Sequence, residues 1–264
     1  MRNKINWQSP YQQEKYNQVL AKLGIPTRQI EIGGKRIYLN KLTTPEYNAW
    51  ELGVDTNFAL PKEGVYWRLL GLTKYSKINW SDDNYYTLVV DNQEGDVNYT
   101  PSNRRAINKA MRSNLRHSLI EPDNGKFDEC LEIFRDRAET RDDIEFPLFI
   151  DLVRETTSCG VADLHAIIDG NRIASCAVVL KSPTIVNIRF LNSNNELLPK
   201  RPVNYLYHSI IGHCAKDSTI QYVDLSGIVG PNCKDEKLVS INRFKRGFSD
   251  LTVEFQAVNS TITD

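Results

Sequence analysis

Near its C-terminus the chain reads Ile241-Asn242-Arg243-Phe244-Lys245-Arg246-Gly247-Phe248-Ser249, three cations set among aromatics and a glycine. Cations in the last turn of a helix complement its dipole and can reach an anionic group beyond it. A glycine there lets the chain turn out of the helix at once. Taken alone, the run is either a capped helix end or an anion site. Other residues able to do chemistry lie upstream: Asp224 and Ser226 in Asp224-Leu225-Ser226-Gly227, Lys200-Arg201 before Pro202, and Asn204, Tyr205, Tyr207 and His208 after it. Arg189 stands between Ile188 and Phe190. An arginine among apolar neighbours needs a partner, either a carboxylate such as Asp224 or a ligand. A further basic stretch, 103–116, places apolar residues 106, 107, 110, 111 and 115 on one helical face, with Arg104, Arg105, Lys109, Arg112 and Arg116 over the rest. Those charges are either a solvated face or an anion-binding surface.

Composition narrows the classes. Lys+Arg and Asp+Glu balance at 33 each over 264 residues, so no global field recruits DNA or an anionic membrane, and anion recognition must be local. The apolar share of 41% and charged share of 25% fit a globular chain that buries a core as one large domain or two compact ones. The five cysteines are scattered with no CxxC pair, which argues against zinc and against a disulfide framework. No apolar run has signal-peptide or membrane-spanning length, so a cytoplasmic location is expected. Serine-hydrolase, P-loop, dinucleotide and metalloprotease spacings are absent.

The elements that must position these residues follow from periodicity and punctuation. Helix is expected over 10–23, stopped by Gly24 and Pro26; a hairpin over 28–39 turns at Gly33-Gly34; a short helix over 44–52 is capped by Thr44. Strands are expected at 65–72 and 85–90, then an Asp/Asn/Gly-rich loop over 91–100. After the basic helix come a strand at 117–121, helices at 126–140 and 146–158, and three strands at 161–168, 172–181 and 184–191 with tight turns at 169–171 and 182–183. A proline-led helix over 203–215, a strand at 219–225, a helix over 234–246 and a strand at 251–255 complete the chain.

This order, strand, two helices, three antiparallel strands, helix, strand, helix, strand, resembles the GNAT acyltransferase layout. Asp169-Gly170-Asn171-Arg172 through Leu180 is similar to the core hairpin of that superfamily. The series Pro202…His208, Tyr222-Val223-Asp224-Leu225-Ser226-Gly227 and Arg243…Phe248 resembles the C-terminal half of the Fem peptidyltransferase group and related acyltransferases. The resemblance implies an α/β (α+β) fold, a mixed, mostly antiparallel GNAT-like sheet flanked by helices. It implies an acyltransferase domain over 101–264 and a degenerate GNAT-like half over 1–100. One departure matters. The Arg/Gln-x-x-Gly-x-Gly/Ala loop that holds pyrophosphate in acetyl-CoA-dependent members is replaced by the glycine-free interval 192–202, where Lys200 and Arg201 are the available cations.

The implied activity is N-acyl transfer from acyl-CoA, acetyl-CoA included, to an amine, with an amino sugar or peptide of a cell-envelope precursor as acceptor. No permanently bound cofactor and no metal are implied. The donor would lie where the sheet opens, at the C-terminal ends of strands 184–191 and 219–225. Asp224 would orient or deprotonate the amine, or cap the following turn. Lys245 would meet the developing negative charge or a phosphate. His208 would shuttle a proton or be structural; of Tyr205 and Tyr207, two residues apart on one helix, one would reach the cleft. Arg189, Lys200, Arg201, Asn204 and Ser226 would hold the donor, and Arg104, Arg105, Tyr207 and Arg243 the acceptor. Two alternatives stay open: an aminoacyl-tRNA-dependent Fem-like transferase, disfavoured by the zero net charge, and a catalytically silent ligand-binding module.

Overall fold

The computed structural model describes residues 7–32, 34–42, 48–49, 65–82, 84–93, 99–138 and 145–259. A 3-10 turn at Pro10–Gln12 precedes α1 (Glu14–Lys22), then β1 (Thr27–Ile32), β2 (Lys35–Asn40), β3 (Asn48–Ala49), β4 (Val65–Lys74) and β5 (Asn84–Asp91). Next come α2 (Pro101–Arg112), β6 (Arg116–Leu119), α3 (Phe127–Ala138), α4 (Phe146–Ser158), β7 (Ala162–Asp169), β8 (Arg172–Lys181) and β9 (Ile185–Ser193). A 3-10 segment at Asn195–Lys200 leads to α5 (Pro202–Cys214), β10 (Tyr222–Ile228), α6 (Glu236–Arg246) and β11 (Leu251–Asn259).

All these strands join one mixed, mostly antiparallel sheet in the order β1-β2-β3-β4-β11-β5-β10-β9-β8-β7-β6. Strands from either side of residue 100 alternate in its middle, where β5 lies between β11 and β10. The sheet is covered on both faces, and the sequence of β8 shows why. Cys176, Val178 and Leu180 enter an apolar cluster with residues of α1, α3 and α4, while Ala177 and Val179 enter another with α2 and α5. A strand buried on both faces must be apolar at successive positions, as this one is. A smaller cluster packs Trp7 against Val89, Ile185, Val253 and Phe255.

Two sequence expectations change. The helix expected over 10–23 is interrupted at Gln13, whose backbone is extended (φ −76°, ψ 136°), because Ser9 caps a separate 3-10 turn through the Tyr11 amide. Most of the helix expected over 44–52 lies outside the described residues; the described pair Asn48–Ala49 is strand, joined to β2 and β4. Residues 94–98 of the 91–100 loop and 139–140 of the 126–140 helix also lie outside them.

The feature that positions the site is a failure of pairing. Parallel β9 and β10 pair at Tyr222↔Ile185, Val223↔Val186 and Asp224↔Asn187, and the pairing ends there. Each strand carries a bulge just past that point. On β9, Arg189 is the extra residue between the pairs Val179↔Ile188 and Val178↔Phe190. On β10, the register against β5 slips between Asp224↔Val89 and Gly227↔Thr87, and Ser226 there is left-handed at φ 68°. A bulge bends its strand and disrupts the local ladder. Two bulges facing one interval turn a sheet into a gap.

Candidate functional site

Below the gap lies a buried polar network. The Asp224 carboxylate is fully buried and accepts from the Thr87 hydroxyl, from Asn187 Nδ2 at 2.6 Å and from the Ser226 amide at 2.7 Å. Asn187 Oδ1 in turn accepts from the Tyr11 hydroxyl at 3.0 Å. Burial raises the Asp224 pKa; the bonds from Thr87, Ser226 and Asn187 and the nearby Lys245 charge work against that rise. Lys245, 7% exposed, donates to the Gly227 carbonyl at 2.8 Å. Ser226 donates to the Ile188 carbonyl across the gap. The left-handed turn at Ser226 is thus over-determined by three partners, as a non-glycine residue in that region requires.

Above this network is a cavity of about 540 Å³ bounded by Arg189, Tyr207, Ser226 and Lys245 from among the expected site residues. Its wall includes Tyr85 as well as Phe244 of α6. A Cβ on Gly227 would sit 3.0 Å from the Tyr85 ring, so glycine is what lets the β10 bulge lie against that ring. Arg189 does not pair with Asp224; its guanidinium lies 5.5 Å from the Tyr11 ring centroid and 5.2 Å from that of Phe190.

A second cavity, about 1020 Å³, shares Ser240 and Phe244 with the first. Among the described residues Arg105, Lys109, Arg201, Arg243 and Arg246 line it, against the single acid Asp250. It lies at the start of α5, where Arg201 occupies the N-cap in a left-handed conformation (φ 62°) with no side-chain cap. Uncapped helix N-termini present amide donors suited to anions. Buried Asn103 ties the three helices around this cavity together, donating to the Phe244 carbonyl at 3.4 Å and accepting from Asn204 Nδ2 at 3.3 Å. Gly247 permits the approach, because a Cβ there would meet Asn103 Nδ2 at 2.3 Å.

The expected residues therefore divide. Arg105, Arg201, Asn204 and Arg243 line the basic cavity; Arg189, Tyr207, Ser226 and Lys245 line the gap. Asp224 lies beneath the gap, is not among the residues that line the cavity, and caps the following turn through the Ser226 amide. His208 faces away: its Nδ1 lies 2.9 Å from the Tyr99 hydroxyl. Burial lowers the His208 pKa and raises that of Tyr99 to about 12, so both rings are favoured in their neutral forms, and the His208 tautomer sets which of them donates. Tyr205 stacks on His208 and lines neither cavity. Lys200 pairs with Asp169 at 2.6 Å, and Arg104 is exposed on α2. Sequence reasoning missed Asn187, Asn103, Thr87 and Tyr11. Asn187 carried a usable signal, an amide inside the apolar run Ile185-Val186-Asn187-Ile188.

Among the described residues no group of three or more His, Cys, Asp or Glu is placed to hold a metal, and no helix is long and apolar enough to cross a membrane. No protein-family model and no curated protein sequence matches the chain. Solved structures do. FemX superposes with a TM-score of 0.61 at 11% identity, covering 94% of this chain and 92% of that one. L-PGS from Bacillus licheniformis gives 0.57 at 10%, covering 98% and 95%. A conserved protein of unknown function from Bacteroides thetaiotaomicron gives 0.62 at 8%, covering 96% and 93%. At such identities the likeness is one of fold, and over nearly its whole length the chain has the GNAT-like α/β fold that these proteins share.

Proposed function

We propose that this protein is an acyltransferase that moves an acyl group from acyl-CoA to an amine. The observation that carries the reading is the gap between β9 and β10, bordered by a bulge on each strand and sharing Ser240 and Phe244 with a cavity lined by five cations. The basic cavity suits the phosphates of the donor, with Arg105, Arg201 and Arg243 as counter-charges beside the α5 N-terminus. The gap suits the thioester. The acceptor nitrogen attacks the acyl carbon, a C–N bond forms as the C–S bond breaks, and the proton shed by the nitrogen is taken up by the departing thiolate. Lys245, held by the Gly227 carbonyl over the Asp224 network, is placed to stabilise negative charge developing on the carbonyl oxygen. An amino sugar or peptide of a cell-envelope precursor is the acceptor class this reading favours.

One observation favours a second donor. Arg104 and Arg112 are exposed on α2 outside the cavity lining, and such added positive charge is what an aminoacyl-tRNA phosphate backbone would use. Calorimetric titration with CoA and with tRNA, combined with a thiol-release assay over a panel of amines, tests both. Binding of CoA with release of free thiol from acyl-CoA supports acyl-CoA transfer. Binding of tRNA alone supports the second donor. Binding of CoA without turnover on any amine indicates a silent binding module, and binding of neither contradicts the proposal.

A further inference from the structure

Part of the wall of the gap is apolar. Val203 contributes from α5, and Leu238, Ile241 and Phe244 from α6. Leu238 and Ile241 lie three apart on one helix edge and are 41% and 37% exposed. They are among the few large apolar side chains left in contact with water in the described structure. Large exposed apolar residues that line a concave wall mark ligand contact more often than chance exposure. The same wall has no Asp or Glu among its described residues.

We infer that the transferred acyl group is an uncharged aliphatic chain of about four to eight carbons, seated along α6 against Leu238 and Ile241. The inference rests on acyl transfer through the gap but not on the carrier of the acyl group. Chain length adds affinity because each methylene withdrawn from water strengthens binding by up to about fourfold. A cationic acyl group gains nothing there: it would leave water for this wall with no carboxylate among the described residues to receive it.

The experiment uses N-acetylcysteamine thioesters, which lack phosphates, in an acetyl, butyryl, hexanoyl and octanoyl series, with the 6-aminohexanoyl thioester as cationic control. Binding to the full chain is measured by calorimetry alongside CoA itself. Affinity is expected to rise about threefold per methylene to hexanoyl, with the aminohexanoyl thioester at least tenfold weaker than hexanoyl. Leu238→Arg, at an exposed position, should weaken hexanoyl binding about tenfold and leave acetyl within about twofold; Ile241→Asn should do the same more weakly. If CoA fails to bind and the series rises, the acyl-CoA donor is wrong and the chain specificity stands. A flat series, or aminohexanoyl binding as tightly as hexanoyl, overturns the inference whether or not CoA binds.

Discussion

The two edges of β9 behave differently. Against β8 it pairs from Val186↔Lys181 to Ser193↔Ser175, absorbing the Arg189 bulge and continuing. Against β10 it pairs at three positions and stops. The β8 side is a hydrocarbon core, whereas below the β10 side lie Tyr11, Asn187, Asp224 and Thr87, joined by hydrogen bonds. Apolar packing tolerates a continuous ladder on both sides of a bulge. A buried carboxylate needs donors from several directions, and here they come from β5, β9 and the turned-back amide of β10. The opening is the geometric consequence of satisfying that carboxylate.

Asp224→Ala should therefore have the largest effect, because it strips partners from Thr87, Asn187, the Ser226 amide and the Lys245 charge at once. About 3 kcal/mol of unfolding free energy is expected to be lost in urea titration. A much smaller loss would mean that the gap persists without the network. Gly247→Ala comes next: its Cβ meets Asn103, which joins α2, α5 and α6, and a loss of about 1–3 kcal/mol is expected. The double variant Arg105→Ala with Arg243→Ala leaves stability nearly unchanged and should weaken CoA binding about tenfold or more, with a shallower salt dependence. Equal CoA affinity in the variant would detach the basic cavity from the donor.

A pH effect should appear on the intact side of the sheet. His117 and His165 share a 2.9 Å hydrogen bond on β6 and β7, near His213 of α5. Burial, then His213 and Lys216, hold His117 down at about 4. Burial, then His117, His213 and Lys181, hold His165 well below its usual value. Both folded values lie below the unfolded value near 6.5. Between those values the unfolded chain binds protons that the folded chain does not. Stability is therefore full above about pH 6.5 and falls as the pH drops toward 4. His117→Asn should flatten that slope in urea titrations at successive pH values. Lys200→Ala is the smallest change, within about 0.5 kcal/mol, since its pair with Asp169 is partly exposed.

The order of elements from the basic helix onward was legible in the residues, because β7, β8 and α5 are long, strongly patterned and punctuated by Asp169-Gly170, Ser182-Pro183 and Pro202. The pairing of β5 with β10 was not, since a sheet neighbour more than a hundred residues away leaves no mark in local periodicity. Arg189, Ser226 and Lys245 stood out as charges or small polar groups in apolar or glycine-bearing surroundings. Tyr11 and Thr87 did not, because their roles come from the hydrogen-bonded groups that the fold brings to them. Asp224 was legible as a residue, with amine activation and turn-capping both open, because a strand-end carboxylate looks alike in sequence whether it points into a cleft or under it; the bond to the Ser226 amide is the cap.

The central claim is that the gap between β9 and β10 holds the acyl end of the donor. A crystal structure with a non-hydrolysable thioether analogue of hexanoyl-CoA tests it most directly. The account predicts the thioether in the cavity beside Arg189, Ser226 and Lys245, with its alkyl chain along Leu238 and Ile241 and its phosphates among Arg105, Arg201 and Arg243. An analogue bound elsewhere on the molecule, with the gap closed or filled only by solvent, would contradict it.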